Sequence, residues 1–201
     1  MDKAHNATSR RILTAALRQF ADCGYTGASV QAIVDQARIT KPTLYYYFKS
    51  KAGLFQALLD WAYNERYRVM QEAVSKSPTL RDRLVAVLAA LFAFLRDNSE
   101  LMRLAFSTAF ASPGEIPSEV KYLDKAQRNF EFVHDLIRKG VAAGEVTKAL
   151  TSEELTVNFY GMMNIHVMGY LFNPKTKLDR RTAERVVQLF FEGAAARSTE
   201  K

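Results

Sequence analysis

Three observations predict an all-α fold. Two-residue alternation of apolar and polar side chains is almost absent, apolar residues recur at spacings of three and four along nearly the whole chain, and the breaks fall at cap and stop residues. The pattern resolves into about nine helices. They are arranged as an N-terminal three-helix helix-turn-helix domain over residues 1–51 and a larger C-terminal helical bundle over 52–201. At 201 residues and 48% hydrophobic content the chain can bury a substantial core.

The elements follow in order. A first helix is expected over 9–23, with Thr8 or Ser9 as N-cap, Ile12, Leu13, Ala16, Leu17 and Phe20 on its apolar face, and Gly24 as its stop. Ser29 caps a short helix over 30–37 that turns Val30, Ile33 and Val34 inward, and Arg38-Ile39 makes a turn. Thr40 caps a third helix to residue 48, with Pro42 in its first turn, where a missing N–H costs little. Ser50 caps a fourth helix running to residue 75. Beyond the break at Pro78-Thr79, helices are expected over 80–97, 100–111, 118–143, 152–172 and 180–196. The loop 112–117, Gly144 and Asn173-Pro174 separate them.

Charge is concentrated at one end. Residues 1–51 hold eight cations against three anions, a net +5 of the chain's +7. Such an excess on one module favours an anionic partner for that module. The single cysteine, Cys23, cannot form an intrachain disulfide, which points to a reducing compartment. The polar first eleven residues lack the apolar segment of a signal peptide, and no stretch approaches the roughly 18 apolar residues of a membrane span. A cytoplasmic protein with no membrane partner is expected.

Two short helices at 30–37 and 40–48 joined by a tight turn are the helix-turn-helix pattern, whose second helix enters the major groove of double-stranded DNA. The segment from Thr40 to Lys51 reads TKPTLYYYFKSK. Tyrosine hydroxyls, short polar side chains and cations on one helix suit phosphates and base edges. The spacing places Leu44 and Phe48 on the packed face and Lys41, Thr43 and Tyr45 on the outer one.

These residues carry a family resemblance. The runs ILTAALRQFADCGY, ASVQAIV and ITKPTLYYYFKSKAGLF, between Arg11 and Leu59, resemble the DNA-binding domain of the TetR (tetracycline-repressor-like, AcrR-like) family of bacterial transcriptional regulators. The resemblance implies that Thr40, Lys41, Pro42, Thr43, Tyr45 and Tyr46 face the groove or the adjoining phosphates. Tyr47 stands where the family often has histidine, and Lys51 matches a lysine that meets a phosphate. Ser29 and Gln31 would present the start of the second helix to the DNA backbone. Arg38 stands where the inter-helix turn usually has glycine; positive φ there would cost arginine about 1 kcal/mol, and its cation could approach a phosphate.

The second domain is rich in soft and aromatic side chains. Trp61, Phe92, Met102, Phe106, Phe110, Phe130, His134, Asn158, Tyr160 and Met163 are expected to line an effector pocket. The last two helices are apolar over more than one face, unusual for terminal helices unless something covers them. Phe159, Met162, His166, Gly169, Tyr170, Val187, Phe190, Phe191 and Ala194 are therefore expected at a homodimer interface, which would duplicate the recognition helix and suit a pseudo-palindromic operator.

Catalysis finds no support in the residues. His5, His134 and His166 have no ligand-type spacing, Cys23 has no histidine near it in sequence, and no glycine-rich phosphate loop occurs. The expectation is a regulator without enzyme activity, metal or cofactor: a repressor that a small lipophilic effector releases from DNA. Two alternatives stay open, a DNA-binding regulator without small-molecule control and a helical interaction module whose basic N-terminus is incidental.

Overall fold

A computed structural model describes residues 3–75 and 77–193, with side chains from residue 7 onward. Among the described residues all regular structure is helical. The helices are α1 (Lys3–Gly27), α2 (Val30–Ala37), α3 (Lys41–Phe48), α4 (Lys51–Val74), α5 (Leu80–Asp97), α6 (Ser99–Ala109), α7 (Leu123–Ala142), α8 (Ser152–Phe172) and α9 (Arg180–Glu192). They form two compact units, one of residues 1–65 with 98–126 and the other of 66–97 with 127–201.

The first unit is built on α1, α2, α3, the first part of α4, and α6. Its core includes Ile12, Phe20, Ile33, Leu44, Phe55 and Leu58, each at most 1% exposed. α1 begins earlier than expected, at Lys3, because no glycine or proline interrupts residues 3–9, so Thr8 and Ser9 lie inside the helix instead of capping it. Gly24 stops the regular helix as expected: its φ of 67° breaks the path, and a further turn follows to Gly27.

α7 starts later than expected, at Leu123 and not near 118. The Gln56 side chain explains the delay. Its Nε2 donates to the Lys121 carbonyl at 2.8 Å, and its Oε1 accepts from the Lys121 N–H at 2.6 Å. This paired amide contact binds the Lys121 peptide as a neighbouring strand would and keeps its N–H and C=O out of a helical turn.

The second unit packs α5, α7, α8 and α9 with the end of α4. Leu84, Leu88, Phe92, Leu95, Phe159 and Val187 are fully buried there. α8 opens on a capping box: Thr151 Oγ1 accepts from the Glu154 N–H, while Glu154 Oε2 accepts from the Thr151 N–H. α9 is capped by Asp179 and ends at Glu192, where Gly193 at φ 68° caps it, short of the expected 196. Residues 194–196, including the expected interface residue Ala194, lie outside the described residues.

Candidate nucleic-acid interface

The exposed face of α3 is produced by what holds the helix down and by how it starts. Leu44 is fully buried and is the helix's anchor. Phe48, expected beside it in the core, is only half-buried and lies 6.2 Å from the Tyr47 ring. Thr40 caps α3 by accepting from the Thr43 N–H at 3.4 Å, and the two threonine hydroxyls share a hydrogen bond of 2.9 Å. With Leu44 inward, Lys41, Pro42, Tyr45 and Tyr46 are exposed, and Thr43 and Tyr47 are half-exposed. Tyr46 is 76% exposed, so it belongs to the outer surface. Its ring meets that of Tyr47 edge-on at 5.5 Å.

α2 presents Ser29 and Gln31, both exposed. The Ser29 hydroxyl accepts from the Ala32 N–H at 3.3 Å, so it serves as the N-cap, and Gln31 donates to Asp35 at 2.8 Å along the same helix. The turn after α2 adopts the positive φ that its sequence left open. Arg38 sits at φ 51°, ψ 53°, its N–H donating to Asp35 O and the Ile39 N–H donating to Val34 O at 3.0 Å. This is the Schellman arrangement with arginine where glycine is cheapest. Arg11 reaches across from α1 and donates from Nη2 to Ala37 O at 2.5 Å and Arg38 O at 3.2 Å, satisfying carbonyls at the end of α2.

Lys51 is engaged within the fold. Its ammonium donates to Thr26 O at 3.2 Å and lies 4.8 Å from the Tyr25 ring centroid. Partial burial lowers its pKa from the ordinary lysine value. Tyr25 in turn packs against Phe20 and Phe55, and burial followed by the nearby Glu119 raises its pKa. The contact between Tyr25 and Lys51 carries no sequence signal, since the two are 26 positions apart.

The expected effector residues divide between the units: Trp61, Met102, Phe106 and Phe110 belong to the first and the other six to the second. Phe92, Met102 and Met163 are buried, Phe110 is 77% exposed, and Asn158 donates to Glu154 O on its own helix. Phe130, His134 and Tyr160 cluster in the second unit, with ring centroids at 5.1 Å for Phe130–Tyr160 and 6.4 Å for Phe130–His134. His134 Nε2 shares a hydrogen bond of 3.0 Å with the Ser152 hydroxyl. Tyr160 donates to Asn129 O at 2.8 Å, and burial pushes its pKa up to about 12, so it is a neutral donor. Hollows of about 400 and 260 Å³ occur in the first unit, around residues 108–124 and beneath Phe20, Tyr25 and Leu104. A groove of about 490 Å³ lies between α8 and α9. The expected effector residues line none of these three.

On α8 and α9, Phe159 and Val187 are fully buried within the second unit, and Met162, His166, Gly169, Tyr170, Phe190 and Phe191 are intermediate. The exposed apolar residues are Val157 at 56%, Ile165 at 62%, Phe172 at 81% and Leu189 at 48%. His166 borders the α8–α9 groove, with Nδ1 2.7 Å from Met162 O. Among the described residues no group of three or more His, Cys, Asp or Glu side chains is placed to hold a metal ion, and no helix is long and apolar enough to cross a membrane.

A family model described as bacterial regulatory proteins of the tetR family matches residues 12–58, the helices just described. The chain is also 31% identical over 129 residues to the transcriptional activator FasR of Mycolicibacterium smegmatis. Residues 12–58 thus match the DNA-binding domain of the TetR family. The FasR match covers 64% of this chain and 58% of FasR. Among solved structures, the chain resembles the fatty acid degradation regulator FadR of Bacillus halodurans, with a TM-score of 0.81 at 17% identity over 94% of this chain and 97% of that one. It also resembles FadR of Bacillus subtilis in complex with stearoyl-CoA, with a TM-score of 0.74 at 20% identity over 92% and 99%. These structural likenesses establish the fold. The relatives named here are transcriptional regulators.

Proposed function

We propose that this TetR-family regulator binds a pseudo-palindromic operator as a homodimer, represses the adjoining gene and leaves DNA when a small lipophilic effector binds. In this reading residues 1–51 contact DNA, residues 52–201 bind the effector and pair the subunits, and the protein acts in the cytoplasm. The observation that carries it is the surface of α3, where Lys41, Tyr45 and Tyr46 are exposed side by side over a fully buried Leu44. Arg38, Thr40, Pro42, Thr43 and Tyr47 complete the proposed DNA surface, with Ser29 and Gln31 at the start of α2. Lys51 acts through α1 and α4, which it ties together.

The pairing surface is proposed on α8 and α9, centred on Val157, Ile165, Phe172 and Leu189, because terminal helices rarely leave such residues uncovered. Long-chain acyl thioesters are the first effector class to test, since a structural neighbour was solved with stearoyl-CoA. The ring cluster of Phe130, His134 and Tyr160 is the proposed contact region. α4 begins at Lys51, beside α3, and continues to Val74, so its displacement is the proposed route from effector to DNA. Ligand and DNA affinities must then be coupled reciprocally.

Selection of bound sequences from a random duplex pool tests the reading. The expected result is a two-fold consensus whose half-sites lie about one DNA turn apart. Loss of the mobility shift on adding stearoyl-CoA, and reduced transcription from a promoter carrying the site, would support effector release and repression. No duplex binding at low salt would refute the DNA reading. Ile165→Arg should halve the mass found by light scattering, and an unchanged mass would refute the pairing surface.

A further inference from the structure

Among the described residues two non-glycine positions have positive φ, and both are cations: Arg38 at 51° and Lys49 at 62°. They bracket α3, one in the turn before it and one immediately after Phe48. Both side chains are exposed. A side chain with a Cβ is disfavoured in this region of backbone space, and glycine would fit it freely.

The backbone is held there by bonds that do not use either side chain. Around Arg38 they are the Schellman bonds and the Arg11 contacts. Around Lys49 the geometry is tighter. The Lys49 N–H donates to Tyr45 O at 2.9 Å, and the Ser50 N–H donates back to Phe48 O at 2.7 Å. The second bond closes a γ-turn centred on Lys49, with φ 62° and ψ −43°, the rarer and strained form of that turn. Exposed strain that glycine would relieve points to a function for the side chain that replaces it.

We propose that Lys49 is a phosphate-binding residue and forms with Arg38 a clamp at the two ends of α3. The inference rests on the DNA-binding reading above. The two cations flank the eight residues of α3, a helix about 12 Å long. The major groove is also about 12 Å wide. A cation at each end can therefore meet the phosphates on either side of the groove, setting the helix's depth and register without reading sequence. The Lys51 ammonium, in contrast, is bonded to Thr26 O and lies over the Tyr25 ring.

The test compares Lys49→Gly, Lys49→Gln and Arg38→Gly with wild type, using fluorescence anisotropy on the selected operator and on an unrelated duplex across a salt series. Each loss of a phosphate contact should lower the log–log salt slope by about 0.9 and weaken both duplexes roughly eightfold at about 0.1 M salt. The two glycine variants should melt no lower than wild type, since glycine relieves the strain. Lys49→Gln should lose the same slope while keeping the strain. An unchanged slope in both Lys49 variants would overturn the proposal, and so would a loss confined to Lys49→Gly, which would assign the effect to the backbone. A wild-type protein that binds neither duplex would overturn the DNA-binding reading itself, a failure distinguishable from these.

Discussion

Gly53→Ala tests the junction between α3 and α4. A Cβ on Gly53 would stand 2.1 Å from the Phe48 carbonyl oxygen and 3.3 Å from its carbon. The first distance is about 1 Å inside any real contact, and the atom struck is backbone, which cannot swing away as a side chain can. Two effects oppose each other. Alanine inside a helix gains up to about 1 kcal/mol over glycine. Moving Phe48 O, however, opens the Ser50 N–H bond of the γ-turn and disturbs the Ser50 cap on the Gly53 N–H at 2.9 Å. Those losses are worth about 0.5–1.5 and 0.5–2 kcal/mol. Residual strain adds to them, so a net destabilisation of about 1–3 kcal/mol is expected. For a chain of this size 2 kcal/mol lowers Tm by roughly 4–8 °C. Urea and thermal unfolding measure the loss, and duplex binding should fall with it because α3 is re-aimed. A Tm equal to or above wild type would refute the reasoning, showing that the junction yields cheaply and that helix propensity wins.

Three further outcomes are expected. Tyr45→Ala should leave Tm unchanged and weaken the operator by roughly ten- to a hundredfold relative to an unrelated duplex; anisotropy with both duplexes checks it. Thr40→Ala removes the cap on the Thr43 N–H and should destabilise the fold by about 1 kcal/mol in urea titrations. The pKa values of Glu154, Asp135 and Asp179 are lowered by hydrogen bonds from Thr151, from Lys139 and Arg138, and from Thr182 respectively. A carboxylate whose folded pKa lies below its unfolded value stabilises above the unfolded value and loses that contribution as pH falls through the folded one. Tm should therefore decline as pH drops below about 4.5, and Glu154→Gln should decline less steeply in calorimetric scans.

The sequence revealed most where one residue controls one backbone group. Ser29 and Thr40 cap their helices as local chemistry dictates, and α2 and α3 begin where these residues place them. Leu44 as the anchor of α3 was legible from spacing alone. The start of α7 was not, because its cause, Gln56, lies 65 positions away and acts on the backbone. The phase of α8 was also hidden. That helix is apolar nearly all round, so periodicity could not separate the inward Phe159 from the outward Val157 and Ile165. Arg38 was visible as an oddity in the turn, but Lys49 was not, since a lysine after a helix ordinarily signals only a solvated surface.

The Gln56–Lys121 contact has a consequence for synthesis. Chains emerge from the ribosome N-terminus first, and the helix-turn-helix segment is finished early. Yet the first compact unit also includes residues 98–126, some of which Gln56 holds directly. At about 5–20 residues per second, roughly 60 further residues take some 3–12 s to follow Glu65. During that interval the nascent chain carries the residues proposed to face DNA without the segment that completes their unit. A ribosome stalled shortly after residue 65 should therefore display this segment more open to protease than one stalled well beyond residue 126.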